Sequence, residues 1–315
     1  MLRSLRPRVE LRPIFMRPRK RKRVTICIGI LATGGTSIVC VADKSVSYSE
    51  DIQGDTDSSK IVPVGPNGCH AMISGSESTI SRILSKLKAE ADLGKDVEQT
   101  KKFCEDAYRS AESEILEAAF LYPFLTLEEY TSALMKERVN PIIKSISERV
   151  ERARQEQTPV SCGLILCGFD GDGHPYLLSL SSPGLCTDMT HTGFCAVGSG
   201  SGYALQKLLQ HEWDRTRALD RTLYECFDAK ASAENDPGVG YDWDAVILTR
   251  DKVGVVPKSI KVMIDRAWTD HVRSPYASWD FAEDLPKPPA NWKFKLRKYV
   301  SDISKTSYNT GERTC

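Results

Sequence analysis

Four residues, each set at the edge of an apolar run, are the ones in this sequence whose types and order could do chemistry together. Thr25 stands at the head of TICIGIL, one residue after the basic run RPRKRKR; Asp43 closes VCVAD, Lys60 opens KIVPV, and Gly75 follows AMIS. A threonine hydroxyl is a weak nucleophile unless a base takes its proton. Were Thr25 the first residue of a mature chain, its own α-amine would be at hand. Such an amine has a pKa of roughly 7.7–8.0, close to what a base needs at neutral pH. Taken singly, each residue also has an ordinary reading. Thr25 is then a strand residue, Asp43 a strand terminator, and Lys60 a solvated charge at the start of a strand.

These residues need strands to hold them, and the sequence supplies strands. TICIGIL and TSIVCVAD, joined at Gly34-Gly35, read as a hairpin. Both are apolar at nearly every position, so both faces must be covered. KIVPVG and CHAMISGS form a second hairpin across Pro66-Asn67-Gly68. Helical spacing follows over 76–93 (Ile80, Ile83, Leu84, Leu87) and over 97–120 (Phe103, Ala107, Ala111, Ile115, Ala118), with a break at Pro123. Thr126 and Glu129 have the spacing of a capping box. It opens a helix expected to run to about Arg154, bent at Pro141. VSCGLILCGFD and HPYLLSLSSPG make a third hairpin; GFCAVGSGSG breaks into the helix YALQKLLQHEW. A helix near 221–233, the turn NDPGVG, and the strands DAVILTRD and KVGVVPKS complete the pattern. Beyond about Lys258 no periodicity is read. Strands and helices in this order predict an α+β fold: a four-layer α/β/β/α sandwich of two antiparallel sheets flanked by helices.

Composition narrows the class. Of 315 residues, 41% are hydrophobic and 27% charged, and the formal net charge is +1, so bulk charge selects no partner. Residues 1–23 hold ten Arg or Lys against the single acid Glu10, and the remainder is net acidic. No apolar run reaches the length of a membrane span. The basic leader has no interleaved aromatics, which argues against a nucleic-acid role. Ten cysteines show no CxxC pair. They read as buried reduced thiols and point to a cytoplasmic location. The five histidines are scattered, so neither a metal nor a cofactor is expected.

The order Thr25, Gly turn, Ala42-Asp43, Lys60, Ser74-Gly75 resembles the proteasome β-subunit family and its bacterial threonine-peptidase relatives. The resemblance continues through GFD-GDG-HPYLLSLSSPG, AVGSGSGYAL and NDPGVGYDWDAVIL. It covers about 25–258, with extra helical length near 95–155, and leaves 259–315 as a C-terminal extension. It implies a sandwich of the N-terminal-nucleophile hydrolase type and an assembly into a homo-oligomeric ring. The implied substrate is a peptide or an unfolded protein, with an unfoldase partner left open. It also implies roles. Lys60 sits beside the Thr25 hydroxyl and favours the alkoxide, and Asp43 holds Lys60. Gly75 offers an N–H to the oxyanion, Ile73 lines the primary specificity pocket, and Ser199 and Asp236 orient the amine and a water.

Two departures from the family pattern stand out. Val239 takes a position where the family has a serine, and Val24 precedes Thr25 where self-processing members have glycine. Residues 1–24 are therefore read as a removable propeptide, as a misassigned start with Val24 the translated form of an alternative GTG codon, or, being Arg-rich and acid-poor, as a targeting segment. Three functions compete: a threonine-type endopeptidase, a catalytically silent structural subunit of a similar assembly, and an amidohydrolase of the same fold acting on a small amide.

Overall fold

The runs on either side of Gly34-Gly35 pair as β1 (Cys27–Ala32) and β2 (Ser37–Asp43), antiparallel, with Cys27 opposite Ala42. The computed structural model describes residues 25–47, 53–55, 59–65, 68–121, 125–135, 141–155, 162–236, 239–272 and 292–305. The leader with Val24, the break expected at Pro123, and Pro237-Gly238 of the expected NDPGVG turn lie outside them. Every residue of β1 and β2 is buried, and the strand period of two explains why. Cys27, Leu31, Ile38, Cys40 and Ala42 join one core; Ile28, Ile30, Val39 and Val41 join another. A hairpin apolar on both faces needs cover on both.

The rest of the chain provides that cover. A short ribbon, β3 (Ser45–Ser47) with β4 (Gln53–Asp55), follows β2. Then β5 (Ile61–Pro63) pairs with β6 (His70–Gly75). Two helices come next, α1 (Glu77–Ala89) and α2 (Val97–Leu116), the second running into a π turn over Glu117–Leu121. The capping box forms as spaced: Thr126 Oγ1 accepts the Glu129 N–H at 3.2 Å and the Glu129 carboxylate accepts the Thr126 N–H at 2.8 Å. The helix it opens, α3 (Leu127–Leu134), is short, and α4 (Pro141–Gln155) is a separate helix. The single bent helix expected to Arg154 is thus two, with Pro141 as a first helical residue, where its missing N–H costs nothing.

Three strands follow, β7 (Cys162–Phe169), β8 (Pro175–Ser181) and β9 (Leu185–Asp188). The last was not expected: LCTD is too short to display a period. After β10 (Phe194–Val197) come α5 (Ser201–Gln210) and α6 (Leu219–Ala233), then β11 (Trp243–Thr249) and β12 (Lys252–Val255). The stretch that showed no pattern contains two helices, α7 (Lys258–Val272) and α8 (Trp292–Lys305).

Among the described residues the strands form two five-stranded antiparallel sheets. The first has the order β10-β1-β2-β11-β12 and the second β5-β6-β7-β8-β9. Between them lie Cys27, Leu31, Cys40, Met72, Ile165, Cys167, Leu177 and Leu248. Gly29 lets the sheets close up, since a Cβ there would stand 2.8 Å from Leu177 Cδ1. The outer face of the first sheet packs on α5, α6, α7 and α8 through Leu208, Leu223, Phe227, Ile264 and Leu296. The second sheet packs on α1 and α2 through Ile83, Leu87, Cys104 and Tyr108. The fold is therefore α+β, a four-layer α/β/β/α sandwich.

A buried carboxylate ties the outer helices of the first sheet. Asp228 of α6 accepts from His211 Nε2 at 2.7 Å, Trp268 Nε1 of α7 at 2.7 Å, and Lys207 Nζ of α5 at 3.3 Å. Burial alone would raise its pKa, but these donors outweigh burial and hold it below the usual carboxylate range. A lowered folded-state pKa contributes stability above the unfolded value, lost as pH falls through the folded one. Asp228→Asn is expected to cost roughly 2 kcal/mol at neutral pH, and the difference from wild type should shrink as acid titrates the carboxylate. Urea midpoints measured against pH check this.

Candidate active site

The head of β1, the end of β2 and the approach to β5 meet at one end of the sandwich. Asp43 is the last residue of β2, and its side chain is fully buried. It is a connector as much as a charge. Its N–H donates to the Ile26 carbonyl at 3.1 Å, and its Oδ1 accepts the Ile26 N–H at 3.0 Å. Oδ2 accepts the Gly240 N–H at 3.2 Å. Oδ1 also takes Lys60 Nζ at 2.8 Å, and the same ammonium donates to Thr25 Oγ1 at 2.9 Å. Thr25, Lys60 and Asp43, spread over 36 residues of sequence, thus form one hydrogen-bonded line. Buried charges persist only when paired and hydrogen-bonded in this way.

The backbone around the line is pinned as well. The Lys60 carbonyl accepts the Ile73 N–H at 3.2 Å, and Cys27 Sγ donates to the Ile73 carbonyl at 3.3 Å. Burial pushes the Cys27 thiol up to about 12, against the opposing pull of Lys60. Cys27 is therefore a neutral packing thiol and no nucleophile. The Gly240 segment is held from behind. Lys230, fully buried, donates to the Tyr241 carbonyl at 2.6 Å and pairs with Glu234 at 2.6 Å. Lys44 N–H reaches the Asp242 carbonyl at 3.0 Å.

The other residues singled out by sequence are placed as follows. Ile73 is half-buried on β6 and packs against the α1–α2 core. Gly75 ends β6, exposed, with φ +116°. Ser199 is exposed in the turn before α5, and Asp236 is half-buried just beyond α6. Among the described residues, no hydrogen bond joins Ser199 or Asp236 to Thr25, Lys60 or Asp43. Val239 is buried and packs on the same turn, its Cγ2 lying 2.9 Å from where a Gly200 Cβ would stand. No group of three or more His, Cys, Asp or Glu among the described residues is arranged to hold a metal ion.

No family model and no curated protein matches this chain. Among solved structures the chain is similar to Anbu (ancestral beta-subunit) from Yersinia bercovieri. The identity is 14%, the match covers 78% of this chain and 94% of that one, and the TM-score is 0.48. Residue roles do not transfer across a likeness of that degree.

Two contributors escaped sequence reasoning. Gly240 gives only a backbone N–H, which no residue type advertises. Gly198 adopts φ +109°, and its Cα faces the Thr25 carbonyl so closely that a Cβ would stand 2.0 Å from that oxygen. The position demands glycine twice over, by conformation and by space. The run AVGSGSG carried the only signal, and it read as a turn.

Proposed function

We propose that this protein is a threonine-type peptidase whose nucleophile is Thr25, exposed by removal of residues 1–24. What supports the reading is the line Thr25 Oγ1, Lys60 Nζ, Asp43 Oδ1, with steps of 2.9 and 2.8 Å. In it the freed α-amine of Thr25 takes the hydroxyl proton, directly or through a water. The Lys60 ammonium stabilises the developing alkoxide, and Asp43 fixes that ammonium. Oγ1 adds to the peptide carbonyl, and the Gly75 N–H meets the oxyanion. The leaving amine takes the proton held by the α-amine, which leaves an ester on Thr25. Water then attacks the ester carbon, the α-amine takes its proton, and Oγ1 departs and recovers it. Substrates in this reading are peptides or unfolded proteins, and the working form is a homo-oligomeric ring in the cytoplasm. The nine cysteines among the described residues are all buried and free, which suits a reducing compartment. No helix among the described residues is long and apolar enough to cross a membrane.

The silent-subunit reading has its own support in the buried Val239 and in Ser199 and Asp236 standing apart from the line. Fluorogenic peptide hydrolysis separates the two. Thr25→Ala is expected to lower kcat/KM at least about a thousandfold with the assembly size unchanged by light scattering. Intact mass of the wild-type protein should show a chain beginning at Thr25. A chain that keeps residues 1–24 has no free amine at Thr25, and the peptidase reading then fails. Activity on small amides but not on peptides would favour the amidohydrolase alternative.

A further inference from the structure

Ser74 carries a hydroxyl that the scheme above leaves unused. It lies on β6 between Ile73 and Gly75, is 8% exposed, and has no side-chain hydrogen bond among the described residues. The hydroxyl itself is not a fully enclosed atom, so a water can reach it. Its direction follows from the register. Ser74 stands opposite Gly163 on β7, and directly opposed residues share a face. On that face a Cβ at Gly163 would lie 3.1 Å from Val197 Cβ of β10. Ser74 therefore points between the sheets, toward the first sheet at the open end of β1.

Gly198 fixes the spot. The position its Cβ would take is 3.2 Å from Ser74 Oγ and 2.0 Å from the Thr25 carbonyl oxygen. Both oxygens border the same small space, which exists because residue 198 has no side chain. The Thr25–Ile26 peptide is already held at its amide end, where Ile26 N–H donates to Asp43 Oδ1 at 3.0 Å. Its carbonyl end is the one that faces Ser74.

We propose that Ser74 is a positioning residue for the Thr25 nucleophile. Its hydroxyl donates, directly or through one bridging water, to the Thr25 carbonyl, so the first peptide unit of the working chain is clamped at both ends. Clamping that plane fixes the direction of the Thr25 hydroxyl and amine relative to Lys60. The inference rests on the peptidase reading. It adds a residue that acts through Thr25 rather than on substrate.

The test compares full-length wild type, Ser74→Ala, Ser74→Cys and Thr25→Ala on a set of peptidyl coumarin amides, with melting temperatures taken in parallel. Ser74→Ala should lower kcat about tenfold and keep KM within about twofold, since the substrate itself is not touched. Its melting temperature should equal that of wild type, because a water can take the place of the hydroxyl at the Thr25 carbonyl. Ser74→Cys, a weaker donor of similar size, should fall between. Unchanged kcat in Ser74→Ala overturns the inference. So does a fall in melting temperature that accompanies the loss of kcat, which would mark a purely structural serine. Wild type no more active than Thr25→Ala would overturn the peptidase reading, and this inference with it. An active wild type with an equally active Ser74→Ala overturns this inference alone.

Discussion

Lys60→Met is expected to cost about 3–5 kcal/mol of folding stability and to abolish the proposed peptide hydrolysis. The Asp43 side chain is fully buried and that of Lys60 is 10% exposed, with 2.8 Å between the charges. Removing the ammonium leaves a buried carboxylate facing an apolar side chain. The cost should fall toward the lower figure, because Asp43 keeps the N–H groups of Ile26 and Gly240. Stability and catalysis separate in the double variant Asp43→Asn with Lys60→Met. With the stranded charge gone, much of the stability should return, since a buried pair is often replaceable by neutral groups. Hydrolysis should not return, because nothing then favours the Thr25 alkoxide. Urea unfolding and fluorogenic peptide assays on the two variants measure both halves.

Gly198→Ala is the second large effect. The new methyl would stand 2.0 Å from the Thr25 carbonyl oxygen and 2.7 Å from its carbon. Both are backbone atoms, so neither can swing aside as a side-chain end would. An L-residue at φ +109° adds strain of its own, about 1–3 kcal/mol. Something must move, and the least anchored partner is Thr25, which precedes β1. A displacement of about 1 Å at a reacting group can cost on the order of a hundredfold in rate, so activity should fall at least that far, with a lower melting temperature. Gly202→Ala is the matched control. It lies four residues on, in α5, with nothing within 4 Å of its would-be Cβ, and both activity and melting temperature should hold.

Much of the architecture could be read from the chain because local signals and tertiary burial agree. β1 and β2 are apolar on both faces and are covered on both faces. The Thr126–Glu129 spacing announced a helix start that the hydrogen bonds display. β9 was missed because its four residues are stabilised by pairing with β8 and not by any pattern of their own. α7 was missed for a related reason. Its packing residues, Ile260, Met263, Ile264 and Trp268, are interleaved with charges that find partners only in the folded state, as Lys261 does at Asp244. The site divides along the same line. Thr25, Asp43 and Lys60 could be chosen by chemical type and order. Gly198 and Gly240 contribute a backbone angle and an amide, and Ser74 is proposed to add a direction, none of which a residue letter encodes.

The Asp43 carboxylate receives an amide that lies 197 residues further along the chain, and β1 is flanked in its sheet by β10. A ribosome therefore releases Thr25, the proposed nucleophile, long before Gly240, whose amide completes the hold on Asp43. Pairings across such separations close late, because the entropy of the intervening loop must be lost first. No nascent fragment short of Gly240 holds the complete set. The hydroxyl, its ammonium and its carboxylate can be locked in line only once translation has passed the second sheet and the outer helices α5 and α6. A site built this way is incomplete in any chain that stops short of Gly240.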